Sequence, residues 1–114
     1  MAVLTATEIQ KTYSEALKLQ NAGRLDDALK IYQALIKDHP RIAEAQYQVG
    51  VIMTVEGRFS GAIPHLYAAA QLKPNEGAIW KVWTEAVALG GDASAEAQFL
   101  TFLKSAPVPV SIKI

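Results

Sequence analysis

The chain has no cysteine, which removes disulfides, thiolate metal sites and cysteine nucleophiles together. A cysteine-free chain suits a reducing compartment, so the cytoplasm is the expected location. Charge of one sign is missing too: eleven Lys and Arg balance eleven Asp and Glu in 114 residues. No net field draws in nucleic acid or an anionic membrane, and neither is an expected partner. No apolar run approaches the roughly 18–20 residues that cross a bilayer. Met1 to Thr7 lacks the basic and apolar segments of a signal peptide. The two histidines, His39 and His65, stand 26 positions apart without ligand-spaced neighbours, so no zinc site is expected. Gly57, Gly61, Gly90 and Gly91 are not followed by Gly-Lys-Ser/Thr and read as helix-ending residues, not a phosphate loop. Asp26 and Asp27 fit a helix start, where they complement the dipole. No catalytic set, cofactor or metal site emerges.

What the chain does have is a period. Gly23-Arg24-Leu25-Asp26-Asp27-Ala28-Leu29-Lys30-Ile31-Tyr32, closed by Pro40, returns after 34 residues. The second copy is Gly57-Arg58-Phe59-Ser60-Gly61-Ala62-Ile63-Pro64-His65-Leu66, closed by Pro74. Self-similarity at a fixed spacing of this size marks stacked helical units.

Taken in order, Thr5 and Glu8 form a capping box, flanked by Leu4 and Ile9. They predict a helix from about Ala6 to Ala22, ended by Gly23. Asp26 is the candidate cap of a second helix, which stops before Pro40. A third helix is expected from about Arg41 to Glu56, ended by Gly57. Ser60 is the candidate cap of a fourth, to about Leu72, with Pro64 in its first turn. Asn75 would cap a fifth, ended by Gly90-Gly91, and a sixth runs from Ala93 or Ser94 to Ser105. Short connections predict antiparallel neighbours.

With these residues the chain resembles the tetratricopeptide repeat family. The first unit shows Ala16, Leu19, Gly23, Ala28, Tyr32 and Pro40 at the family's small, large, small, small, large and proline positions. The second matches with Tyr47, Val49, Gly50, Met53, Gly57, Ala62, Leu66, Ala69 and Pro74. The third carries Trp80 at the tryptophan position, then keeps register only if one residue is lost from the inter-helix turn. Ala95, Phe99, Phe102 and Pro107 then fall into place. Thr12 and Gln46 depart at the tryptophan position, and Leu35 replaces a small residue. The resemblance implies an all-α fold: a right-handed superhelix of three antiparallel helix pairs, spanning residues 1–107 with repeats at about 9–42, 43–76 and 77–107. An apolar extended tail, 108–114, would follow.

The resemblance further implies a non-catalytic protein-interaction module that holds a helix or peptide in its concave groove. Carried over, the groove positions are Gln10, Tyr13, Leu17, Gln20 and Asn21 in unit one. Unit two contributes Glu44, Tyr47, Val51, Thr54 and Val55, and unit three Ala78, Lys81, Glu85, Ala88 and Leu89. The family's two-carboxylate clamp for chaperone C-termini would fall on Tyr13, Leu17, Gln48, Ala78 and Val82. None is cationic, so a chaperone tail is not an expected partner.

Apolar content of 51% is high for a soluble domain. Phe99, Leu100, Phe102 and Leu103 give the last helix a broad apolar face, and Val108, Val110, Ile112 and Ile114 alternate in the tail. Together they form a candidate self-association surface, so a dimer is an alternative partner state. The alternative reading is a docking or oligomerisation domain at the N-terminus of a larger enzyme such as a transferase.

Overall fold

The structure, a computed structural model, describes residues 4–106. The described residues form six α-helices and no strand. These are α1 (Ala6–Asn21), α2 (Leu25–Asp38), α3 (Ala43–Val55), α4 (Phe59–Leu72), α5 (Gly77–Gly90) and α6 (Ala93–Ser105). The fold is all-α, as the sequence pattern implies.

The capping box at the start of α1 is formed in full. Glu8 N–H donates to Thr5 Oγ1 at 3.1 Å and Thr5 N–H donates to Glu8 Oε1 at 2.9 Å. The 34-residue period reappears atom by atom at the next turn. Gly23 and Gly57 take φ of +83° and +78°, a region open to glycine because it has no Cβ. Gly23 N–H donates to Gln20 O, and Arg24 N–H to Leu19 O at 2.9 Å. Gly57 N–H donates to Thr54 O, and Arg58 N–H to Met53 O at 2.7 Å. Both turns satisfy the last carbonyls of the outgoing helix in the Schellman pattern.

That arrangement changes the expected caps. The arginine that closes one helix with its N–H opens the next with its carbonyl: Arg24 O accepts from Ala28 N–H and Arg58 O from Ala62 N–H. Arg24 and Arg58 are therefore the N-cap residues, and neither Asp26 nor Ser60 caps anything. Asp26 and Asp27 lie inside the first turn of α2, and Arg24 pairs with Asp27 at 2.6 Å. Pro64 becomes the sixth residue of α4, one turn deeper than expected. It deprives the Ser60 carbonyl of its helical donor, and exposed Ser60 leaves that carbonyl to water. α3 starts at Ala43 and not Arg41, because Ile42 before it is extended. Asn75 does not cap α5; Glu76 stands at that position, without a side-chain bond.

The third inter-helix turn is one residue shorter than the other two, as the register predicts. Gly91 is not left-handed (φ −83°), and Asp92 caps α6 by accepting from Ala95 N–H at 2.8 Å. Gly90 belongs to α5 and allows close packing: a Cβ there would lie 2.4 Å from the Phe59 Cβ. Gly61 likewise sits inside α4 and not at a helix end.

Packing follows from the small residues. Ala16, Ala28, Ala45, Ala62, Ala69, Ala70 and Ala86 are fully buried, so neighbouring helix backbones come close. Tyr32, Val49, Ile52 and Leu66 fill the space between them, also with no exposure. α3 is central and buries seven of its residues, Gln46 among them. α6 buries none fully, but Phe99 and Phe102 dock on an aromatic cluster built by Trp80, Trp83 and Tyr67.

Gln46 and Trp80 occupy the same place in successive units and do the same work with different chemistry. Gln46 Nε2 donates to Pro40 O at 3.0 Å, and Trp80 Nε1 donates to Pro74 O at 2.6 Å. Each ties the proline turn to the helix after it. With Nε2 so committed, Gln46 Oε1 accepts from His65 Nδ1–H at 2.9 Å, linking α3 to α4. Burial holds the His65 imidazole below its ordinary 6.5. The unfolded chain then takes up the proton first as pH falls, so this contribution to stability is complete above 6.5 and is lost through the lower folded value. Urea midpoints should therefore fall between pH 7.5 and 5.5, and His65→Gln should flatten that slope. An unchanged slope would overturn the assignment.

Candidate functional site

Two adjoining clefts open between the N-terminal halves of α1, α3 and α5. The first, of about 250 Å³, is lined by Tyr13, Ala43, Glu44, Tyr47, Gln48, Lys73, Glu76, Ala78 and Ile79. The second is lined by Ala6, Ile9, Gln10, Tyr13, Ile42 and Glu44. Tyr13 and Glu44 belong to both, so the two form one continuous surface across successive units.

Tyr13 is held there from behind. Tyr32 O–H donates to Gln20 Oε1 at 2.9 Å, Gln20 Nε2 to Gln48 Oε1 at 2.9 Å, and Gln48 Nε2 to the Tyr13 hydroxyl oxygen at 3.3 Å. This relay crosses α2, α1 and α3, and it leaves the Tyr13 proton available to an acceptor in the cleft. The Tyr13 ring also packs on Tyr32, with centroids 5.5 Å apart. Burial pushes the Tyr32 phenol well above its usual range, consistent with a hydroxyl that serves only as an internal donor.

Charge enters from the turn between α4 and α5. Lys73 Nζ donates to Glu44 Oε2 at 2.7 Å, and this bond holds the Glu44 carboxyl below its usual range. Burial pushes the Tyr47 phenol up, helped by the nearby Glu76 carboxylate.

Of the residues predicted for the groove, Gln10, Tyr13, Glu44, Tyr47 and Ala78 line the clefts. Leu17 and Val51 lie half-buried further along α1 and α3, and Gln20 is consumed by the relay. Val55 is 69% exposed, and Lys81 and Glu85 are exposed on α5. Lys73 and Glu76 went unpredicted: they come from a turn, whereas the family positions lie on the inner helices. Phe99, Phe102 and Leu103 are half-buried against the core, and Leu100 is 46% exposed. Val108, Val110 and Ile112 lie outside the described residues. Among the described residues, no three of His, Asp and Glu gather as metal ligands, and no helix is long and apolar enough to cross a membrane.

Successive helix pairs, two of them joined by Schellman turns 34 residues apart, define a helical-repeat protein. The sequence model of the tetratricopeptide repeat family matches residues 13–77, more than half of the chain. The chain belongs to the tetratricopeptide repeat family. Its fold is similar to the solved structure of a MamA mutant, with a TM-score of 0.68 at 20% identity over 84% of this chain. The matched part is 51% of that protein, so the chain spans about half its length. No curated protein matches the chain. Repeats of this family are protein-interaction folds, and the chain is an interaction module of that kind.

Proposed function

We propose that the chain is a non-catalytic module whose three repeats, at about 9–42, 43–76 and 77–107, hold a helix or peptide along their concave face. The observation that carries this reading is the continuous cleft shared by Tyr13 and Tyr47, equivalent residues of successive units. For the third unit, which lies outside residues 13–77, the support is the Trp80 bond to Pro74 at the place where Gln46 bonds Pro40. Tyr13, Leu17, Tyr47, Val51 and Val55 supply apolar contact; Gln10, Glu44, Lys81 and Glu85 set the register. Gln20 acts through the relay, as a positioning residue for Tyr13.

Peptides selected on the full chain from a displayed library test this. A Tyr47→Lys, Val51→Glu double variant should bind them at least about ten-fold more weakly, since central aromatic contacts dominate such interfaces. Tyr47→Ala, gentler on the fold, should show most of the loss with unchanged helicity. Equal affinity for Tyr47→Ala and the parent would sink the groove assignment.

A further inference from the structure

The cleft between Tyr13 and Tyr47 carries one carboxylate more than it can neutralise. Its charged residues are Glu44, Lys73 and Glu76. Lys73 is committed to Glu44 at 2.7 Å, and among the described residues Glu76 makes no ion pair. Lys73 is held above its usual range first by its bond to Glu44, with the field of Glu76 a lesser contribution. One ammonium thus stands against two carboxylates. Beside Glu76 are the rings of Tyr13 and Tyr47, whose faces attract cations. Ala78 and Ile79 add an apolar wall of the kind that a long aliphatic stem covers.

Four kinds of side chain could enter, and a neutral polar one would donate to Glu76 yet leave the excess negative charge in place. An acidic one would add a third carboxylate to a cleft with one ammonium, which like-charge repulsion opposes. A neutral apolar one would strip water from Glu76 and return nothing for it. A basic one satisfies the carboxylate, the aromatic faces and the apolar wall at once. We propose that this cleft takes an arginine or lysine side chain of the partner peptide, its cation over the tyrosine rings and beside Glu76. The proposal rests on the groove reading above and adds the chemistry of the anchoring residue.

N-acetyl-arginine-N-methylamide, titrated into the full ¹⁵N-labelled chain beside its citrulline counterpart, tests it, because the two differ in charge and little in shape. The arginine probe should shift the amide resonances of Tyr13, Tyr47 and Glu76 and bind about five-fold more tightly than citrulline. Glu76→Gln should reduce arginine to the citrulline level, while Glu96→Gln, on α6 and remote from the cleft, should not. Equal affinity of the two probes, shifts confined to other residues, or indifference to Glu76→Gln would overturn the proposal. A dimer that Glu76→Gln dissolves would seat a second copy's basic side chain there and overturn the assignment to a separate partner. Displayed peptides that require Tyr47 but carry no basic residue would overturn this proposal and leave the groove reading standing. Peptides indifferent to Tyr47 would overturn both.

Discussion

Trp80→Ala should lower stability by about 3–5 kcal/mol, the range for emptying a buried aromatic site. For a domain of this size that is a fall in Tm of more than about 10 °C. Trp80 has no exposure, packs on Trp83, Phe99 and Phe102, and donates Nε1 to Pro74 O. Removing it takes away the surface on which α6 docks and the tie that holds the turn before α5. In repeat architectures each unit answers mainly to its neighbour. Amide exchange should therefore rise most in α6 and the end of α5, with α1 to α3 keeping their protection. Uniform loss along the chain would contradict nearest-neighbour packing here. The neighbouring tryptophan provides a control. Trp83 Nε1 is buried without a partner among the described residues, so Trp83→Phe removes an unmet donor, whereas Trp80→Phe orphans the Pro74 carbonyl. Leaving a part-buried carbonyl without its donor costs on the order of 1 kcal/mol, so Trp80→Phe should be the more damaging of the two in urea unfolding.

Gly50→Ala should change sign with its background. A Cβ at Gly50 would lie 2.4 Å from Leu66 Cδ2 and 2.5 Å from Cγ. Leu66 has no exposure, so its side chain must shift within the core to admit that methyl group. Overpacking of this kind costs about 1–3 kcal/mol, against roughly 1 kcal/mol of helix propensity gained by alanine over glycine. The net expectation is destabilisation of up to about 2 kcal/mol. Leu66→Ala alone should cost about 2–5 kcal/mol by opening a cavity. In that background the new methyl group has space, restores contact between α3 and α4, and keeps its propensity gain. The double variant should then be more stable than Leu66→Ala alone, a non-additivity expected only for residues in direct contact. Additive effects would mean that Gly50 is selected for something other than this close approach.

Gly23, Gly57, Pro40 and Pro74 are legible because backbone geometry leaves few residue types for their positions, and their 34-residue spacing exposes the repeat. The loss of one residue between the fifth and sixth helices was legible for the same reason, and it appears as the shortened turn between Gly90 and Ala93. Helix starts were less legible. Asp26, Ser60 and Asn75 have the side chains of caps, yet Arg24, Arg58 and Glu76 stand in that position. A cap is decided by where the preceding turn places backbone donors, which side-chain chemistry alone does not report. Tyr13 and Tyr47 were expected in the cleft because the resemblance to the family carries its groove positions onto them. Lys73 and Glu76 were not, because a turn has no periodicity to read.

The sequence by itself determined the repeat, the all-α class and the helical faces, since each depends on local geometry and on spacing along the chain. The tertiary structure alone decided which polar groups distant in the chain meet. Gln20, from an expected groove position, is spent on Tyr32 and Gln48; Lys73 is spent on Glu44; Gln46 reaches Pro40 O as Trp80 reaches the equivalent Pro74 O. Hydrogen bonds and ion pairs act over about 3–4 Å in space. Residues separated by 28 or 29 positions, such as Gln20 and Gln48 or Glu44 and Lys73, come within that range only once the helices have stacked.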